Sequence, residues 1–259
     1  MKRKAIIGGT GVYNLSSEDQ IVPKTVDTPY GKVQVDILKK AGMEIVFLPR
    51  HGKGHANLPH QINYRANIKA LATLGVDEIF ATCLVGSMRE EFQVGEVVLV
   101  KDFIDFTKNR VSTFFEEERQ AKHVEMSEPY CNRLNLDFLN MAKKENLAVK
   151  GQGVYVCTEG PRLETGAEIQ FYQKIGGDIV GMTTVPECVL AKELGICYAS
   201  VAVISNWATN MKGKVHFGAQ EIKEVMDERK EKLIDVFLSV FLEKNRERDC
   251  RCPHSILEL

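Results

Sequence analysis

Short apolar runs alternate with amphipathic stretches along most of this chain. Runs at 4–7, 33–38, 44–48, 78–84, 96–100, 154–157, 178–182 and 197–204 have the length and β-branched content of buried strands. Between several of them, apolar residues recur at three-and-four spacing, which predicts helices over 62–74, 133–145, 164–175 and 186–194. The clearest helix spans 221–243, where Ile222, Val225, Met226, Leu233, Val236, Phe237, Val240 and Phe241 form one stripe. Such alternation predicts an α/β fold with helices on the faces of a sheet. The runs at 33–38 and 44–48 are too close for a crossover, so a hairpin is expected and the sheet should be mixed. No repeat or linker interrupts the pattern, which predicts one domain over 1–245 and a polar tail, 246–259, containing a Cys-x-Cys pair.

The residues between 157 and 187, CTEGPRLETGAEIQFYQKIGGDIVGMTTVPE, concentrate the candidate chemistry. One strand ends in the Gly160-Pro161 turn and leads to Glu164. A second delivers Met182, Thr183 and Thr184 just before Pro186. In open α/β sheets, ligands bind outside the carboxyl ends of strands. Other strand ends carry suitable groups too. Gly8-Gly9-Thr10-Gly11 is a glycine turn with a hydroxyl, able to nest an anion or serve simply as a tight turn. It lacks the third glycine of the dinucleotide fingerprint, which argues against a nicotinamide-dependent oxidoreductase. Arg50-His51-Gly52-Lys53-Gly54-His55 places a planar guanidinium fork and an imidazole on a glycine-rich loop, a suitable pair for phosphate oxygens. Val85-Gly86-Ser87 offers backbone donors, and Asn206 stands at the end of the last long strand. The segment 107–124 reads as a long loop carrying His123, functional or interfacial.

Composition narrows the field. The chain has 259 residues, 44% hydrophobic and 27% charged, with a formal net charge of −1. Near-neutral charge gives no nucleic-acid footprint and no attraction to a membrane surface. The longest charge-free run, 194–211, carries Ser200, Ser205 and Asn206 and reads as a strand entering a loop, not a membrane span. A cytoplasmic protein is expected, with no leader in MKRKAIIGGTG. Of seven cysteines, Cys83, Cys131, Cys157, Cys188 and Cys197 lie in or beside apolar runs and read as reduced core residues. Cys250 and Cys252 read as solvated thiols or as a disulfide clamp. Metal binding lacks support, since no second thiol pair or suitably spaced histidine accompanies them, and His51, His55 and His60 match no common zinc spacing.

Taken together, IIGGTG, the RHG…H…NYRAN segment, VGS, EGPRLET followed by AE, MTTVPE and ISN resemble the trimeric purine nucleoside phosphorylases, in particular the 5′-methylthioadenosine phosphorylase branch. The resemblance covers residue 4 to about 240. It implies a mixed α/β, barrel-like core flanked by helices, a homotrimer or dimer of trimers, and phosphorolysis of a purine nucleoside. Inorganic phosphate is a co-substrate, with no cofactor and no metal. Carried onto this chain, the phosphate site comprises Thr10, Arg50, His51, Thr183 and the Cys83-Leu84 turn. Cys83 stands where the family often has a hydroxyl, so its contact is expected through the backbone. Leu163 and Glu164 line the base, with Asn206 opposite and Trp207 and Ala208 beside it, and Met182 lies under the ribose. His123 matches a position that reaches a neighbouring subunit's site. Catalysis falls to Asn206, Glu164 and His51.

Departures from the branch refine the substrate. Methylthioadenosine enzymes carry aspartates where this chain has Asn206 and Ala208, and a small serine-like residue where it has Glu164. The Glu-plus-Asn pair resembles the inosine and guanosine phosphorylases instead. A 6-oxopurine bears a hydrogen on N1 that a carboxylate accepts, whereas adenine presents a lone pair there that a carboxylate repels. At the 5′ end, Ala219 and Ile222 stand where oxopurine enzymes place a histidine. The expected substrates are therefore inosine, guanosine or 5′-methylthioinosine, with 5′-methylthioadenosine as the alternative. Rival classes are the nicotinamide oxidoreductase and a non-catalytic nucleotide-binding scaffold.

Overall fold

A strand buried on both faces needs neighbours on both edges, and the apolar runs find them in one nine-stranded sheet. The computed structural model describes residues 2–9, 20–52, 54, 56–116, 122–211, 219–243 and 247–258, without the side chains of 20, 219–223, 227 and 228. Its strands are β1 (Arg3–Gly8), β2 (Gln20–Thr28), β3 (Gly31–Lys40), β4 (Met43–Pro49), β5 (Val76–Ser87), β6 (Val97–Phe106), β7 (Lys122–Val124), β8 (Val149–Thr158), β9 (Ile179–Gly181), β10 (Cys197–Trp207) and β11 (Ile256–Glu258). Sheet order is β10-β6-β8-β9-β5-β1-β4-β3-β2, and β10 also pairs with β5. That extra pairing closes β10, β6, β8, β9 and β5 into a five-strand barrel, from which β1, β4, β3 and β2 extend. Parallel and antiparallel ladders coexist, and β3 and β4 form the expected hairpin.

The helices are α1 (Tyr64–Thr73), α2 (Asn132–Lys144), α3 (Gly166–Lys174), α4 (Thr184–Glu193) and α5 (Ala219–Leu242). Side chains of β10 alternate between two cores. Tyr198, Ala202 and Ile204 pack with α1 and α4. Cys197, Ala199, Val201 and Val203 pack with α2 and α5, where Phe80 of β5 stacks on Phe237 at 4.7 Å between ring centroids. No helix among the described residues is long and apolar enough to cross a membrane.

Three strands escape the apolar pattern, each for a physical reason. β2 pairs with β3 along its whole length but lies at the sheet edge, carries Pro23, and exposes most of its side chains. β7 and β11 are three-residue strands that pair only with each other, so neither has a legible period. β7 thus interrupts the segment expected to be loop throughout. β6 runs past the expected end at 100, because its second half, less buried, still ladders onto β8. In the tail, Cys252 and Ser255 are buried, which rules out a freely solvated Cys252.

Candidate active site

Loops after β8, β9, β10 and β4, together with the end of β5, surround a cavity of about 260 Å³. Of the residues expected from sequence, Arg50, His51, Cys83, Leu84, Leu163, Glu164, Met182, Thr183, Asn206 and Ala208 all line it. Trp207 does not. Its backbone carbonyl accepts a hydrogen bond from Asn206 Nδ2 at 2.9 Å. His123 is exposed on β7, opposite Leu257 of β11, and is not among the lining residues. Thr10, like Lys53 and His55, falls outside the described residues. Ala219 and Ile222 belong to α5, with side chains outside the description.

One corner is built on Arg50, whose side chain is 1% exposed. Its Nε donates to Glu187 Oε1 at 2.6 Å, its Nη2 to Glu187 Oε2 at 2.8 Å, and its Nη1 to the carbonyl of Thr82 at 2.6 Å. Tyr198 Oη donates to the same carboxylate at 2.6 Å. Burial pulls the Arg50 pKa down, but the Glu187 carboxylate more than offsets this, so the guanidinium stays charged. Each Nη retains one further N–H for an anion. Glycine is required beside it. A Cβ on Gly9 would meet Thr82 O at 2.5 Å and Arg50 Nη1 at 2.7 Å.

His51 is buried, with Nδ1 2.9 Å from the Asn57 carbonyl, so Nδ1 carries the proton. Thr183 caps α4, which begins two residues before Pro186, and its backbone N–H donates to Tyr155 Oη at 3.1 Å. A ten-residue helix starting beside a buried arginine favours negative charge at this corner. The Cys83 thiol lies 3.6 Å from Ser200 Oγ, and burial pushes its pKa up to about 11, so it is neutral at physiological pH.

At a second corner, α3 begins at Gly166 and not at Glu164. Thr165 forms a capping box with Glu168: its Oγ1 accepts from Glu168 N at 3.2 Å, and its N–H donates to Glu168 Oε2 at 2.8 Å. Glu164 therefore precedes the helix, where it is buried and accepts the Thr158 hydroxyl at 2.7 Å on Oε1. The β5 register shifts between Ile204 and Asn206, and this bulge brings both Ser205 and Asn206 to the cavity wall. Ser205 Oγ donates to Asn206 Oδ1 at 2.7 Å, orienting the amide. Gly160, at φ +65°, has no room for a Cβ, which would meet Met182 Sδ at 2.6 Å. Arg110 links these pieces. It donates to the carbonyls of Met182, Thr158 and Glu159, the last at 2.6 Å.

Two residues of this site, Glu187 and Arg110, have no role in the sequence pattern. A glutamate set among Val185, Pro186, Cys188, Val189 and Leu190 is the available signal for Glu187, since a buried carboxylate requires a cation. Arg110 leaves none.

The chain is similar to known proteins along most of its length. The family described as the phosphorylase superfamily matches residues 3–242. A 6-oxopurine nucleoside phosphorylase from Pyrococcus furiosus is 43% identical, over 99% of this chain and 98% of its own. A probable S-methyl-5′-thioinosine phosphorylase from Methanothermobacter thermautotrophicus is also 43% identical, over 97% of this chain and 88% of its own. Among solved structures, a methylthioadenosine phosphorylase from an Antarctic soil metagenomic library superposes with a TM-score of 0.85 at 30% identity, covering 98% of this chain and 91% of that one.

Proposed function

The chain belongs to the phosphorylase superfamily, and from that premise we propose that it catalyses reversible phosphorolysis of 6-oxopurine nucleosides. The observation carrying this reading is that Glu164 and Asn206 line the same cavity as Arg50. Phosphate, held by Arg50, His51, Thr183 and Thr10, attacks C1′ of the nucleoside. The C1′–N9 bond breaks, its electron pair leaves with the purine, and the sugar passes through an oxocarbenium-like state. Phosphate's charge stabilises that cation. The proton that phosphate gives up passes through solvent to N7, and Asn206 stabilises the departing base by donating from Nδ2 to O6 while its Oδ1 accepts a hydrogen bond from N7–H. Glu164 has a second oxygen to accept N1–H. The reaction draws on phosphate as co-substrate and on no resident cofactor.

The subunits work as a trimer or dimer of trimers, in which His123 completes a neighbour's site. Its exposure on the β7–β11 ribbon, outside its own cavity, supports that placement. Light scattering on active enzyme should give three or six times 29.1 kDa, and an active monomer or dimer would remove the proposal.

The decisive assay is base release from adenosine, inosine, guanosine, 5′-methylthioadenosine and 5′-methylthioinosine, with and without phosphate. Inosine, guanosine or 5′-methylthioinosine should react only when phosphate is present. If 5′-methylthioadenosine outruns them, the base-site reading fails while phosphorolysis stands. Release independent of phosphate would overturn both.

A further inference from the structure

The tail's Cys-x-Cys pair meets a second pair of thiols that no local pattern announces. Cys131, Cys197, Cys250 and Cys252 bring their sulfur atoms within 4.8 Å of one another. Cys131 is the N-cap of α2 and Cys197 opens β10, while Cys252 begins a short 3-10 turn at Cys252–His254. Three segments far apart in sequence thus converge on one point. Among them, Cys131, Cys197 and Cys252 are buried and Cys250 is half-buried.

The arrangement is one of mutual neighbours, not of two bonded pairs. All four cysteines are free thiols, and the sulfurs of Cys197 and Cys250 stand 3.3 Å apart, against about 2.05 Å in a disulfide. Four thiolates around one zinc ion at about 2.3 Å lie roughly 3.8 Å apart along each tetrahedral edge. The cluster brackets that spacing.

Its surroundings suit negative charge. Arg248 Nε donates to Cys197 Sγ at 3.2 Å, and Arg133 Nη2 approaches the same sulfur at 3.7 Å. Arg133 also pairs with Glu78 and Asp137, and Arg248 lies 3.9 Å from Asp77, so both guanidiniums are held in place. Cys131 stands at the N-cap of α2, the positive end of a thirteen-residue helix. A divalent ion bound by four thiolates carries a net charge of −2, and the two arginines, which also pair with carboxylates, offset part of that charge.

We propose that Cys131, Cys197, Cys250 and Cys252 form a structural tetrathiolate site for a single zinc ion. All four positions are protein ligands, so no coordination site is left for substrate and the role is mechanical. The ion fastens the tail to α2 and β10, and with it β11, which pairs with β7.

The test uses the full chain, expressed with zinc supplied and purified anaerobically without chelator. Metal analysis should give about one zinc per chain, and the Cys250→Ser, Cys252→Ser double variant should lose it. Cobalt exchanged into the wild-type protein should show the intense visible bands of a tetrahedral thiolate complex, a readout that does not depend on any variant folding. Protein reduced, supplied with zinc and dialysed should retain one equivalent and melt higher than the same protein with a strong chelator. Wild-type protein that binds no zinc when reduced, or whose denatured mass shows these cysteines paired as disulfides after anaerobic purification, overturns the proposal.

Discussion

Strand β10 has different chemistry at its two ends. Cys197 and Asn206 are nine steps apart, roughly 30 Å at the usual strand rise of about 3.3 Å per residue. At the Asn206 end, every polar group is held by one set of partners and keeps capacity to spare. The amide retains a second N–H and a second lone pair, Glu164 a second oxygen, and Arg50 two further N–H groups. At the Cys197 end, the sulfurs face each other and two arginines. A site for exchangeable ligands needs unspent hydrogen-bonding capacity in a rigid frame. A fastening needs that capacity turned inward.

Substitutions should separate the two ends. The largest effect is expected from Glu187→Ala, which strands the buried Arg50 guanidinium without its bidentate partner. Removing one member of such a pair costs about 3–5 kcal/mol, read as a lowered denaturation midpoint. A midpoint close to wild type would show that Arg50 does not depend on that carboxylate.

Next comes base specificity. The wild type should prefer 6-oxopurine over adenosine-type nucleosides by at least about 10²–10³ in kcat/KM. The pair Glu164→Ser and Asn206→Asp should move activity toward 5′-methylthioadenosine without changing zinc content. An unchanged preference would place recognition elsewhere. Arg50→Ala should cost roughly ten- to hundredfold in kcat/KM for phosphate with nucleoside binding little altered, and, by leaving the buried Glu187 carboxylate unpaired, should lower the denaturation midpoint as Glu187→Ala does. Unchanged phosphate kinetics would remove Arg50 from that corner.

The smallest effect belongs to Cys83→Ser, which keeps a small polar group near Ser200 and should change stability at neutral pH by under about 1 kcal/mol. Its pH dependence sharpens the point. The thiol's folded pKa is raised from 9.0 to about 11, so the unfolded chain ionises first. The stabilising contribution is complete below pH 9 and is lost as pH rises toward 11, at up to about 1.4 kcal/mol per pH unit. The serine variant should lose less stability over that window in alkaline denaturation curves. Parallel curves for both proteins would contradict the shift.

Much of this molecule is legible one segment at a time. Burial on both strand faces writes continuous apolar runs, and one-sided burial writes helical stripes, so eight strands, five helices and the hairpin follow from local pattern. The turn chemistry around Gly160 and the Arg-His pair after β4 are likewise local, whereas the meeting of ten candidate residues in one cavity is not. Edge strand β2 is not legible in this way, because exposure removes the period that would reveal it.

Sequence alone determined the backbone elements and the residue types at strand ends, because both depend on neighbours a few positions away. Only the tertiary structure decided who meets whom. Arg50 and Glu187 are 137 residues apart, and the bulge at Ser205 exists only against the register of β5. The Cys-x-Cys motif looks solitary along the chain. Its partners arrive through the packing of α2 and β10 against a tail that carries no apolar run of its own. Long-range pairing of polar groups leaves no periodic trace in sequence, since its geometry is set by the fold that the periodic residues build.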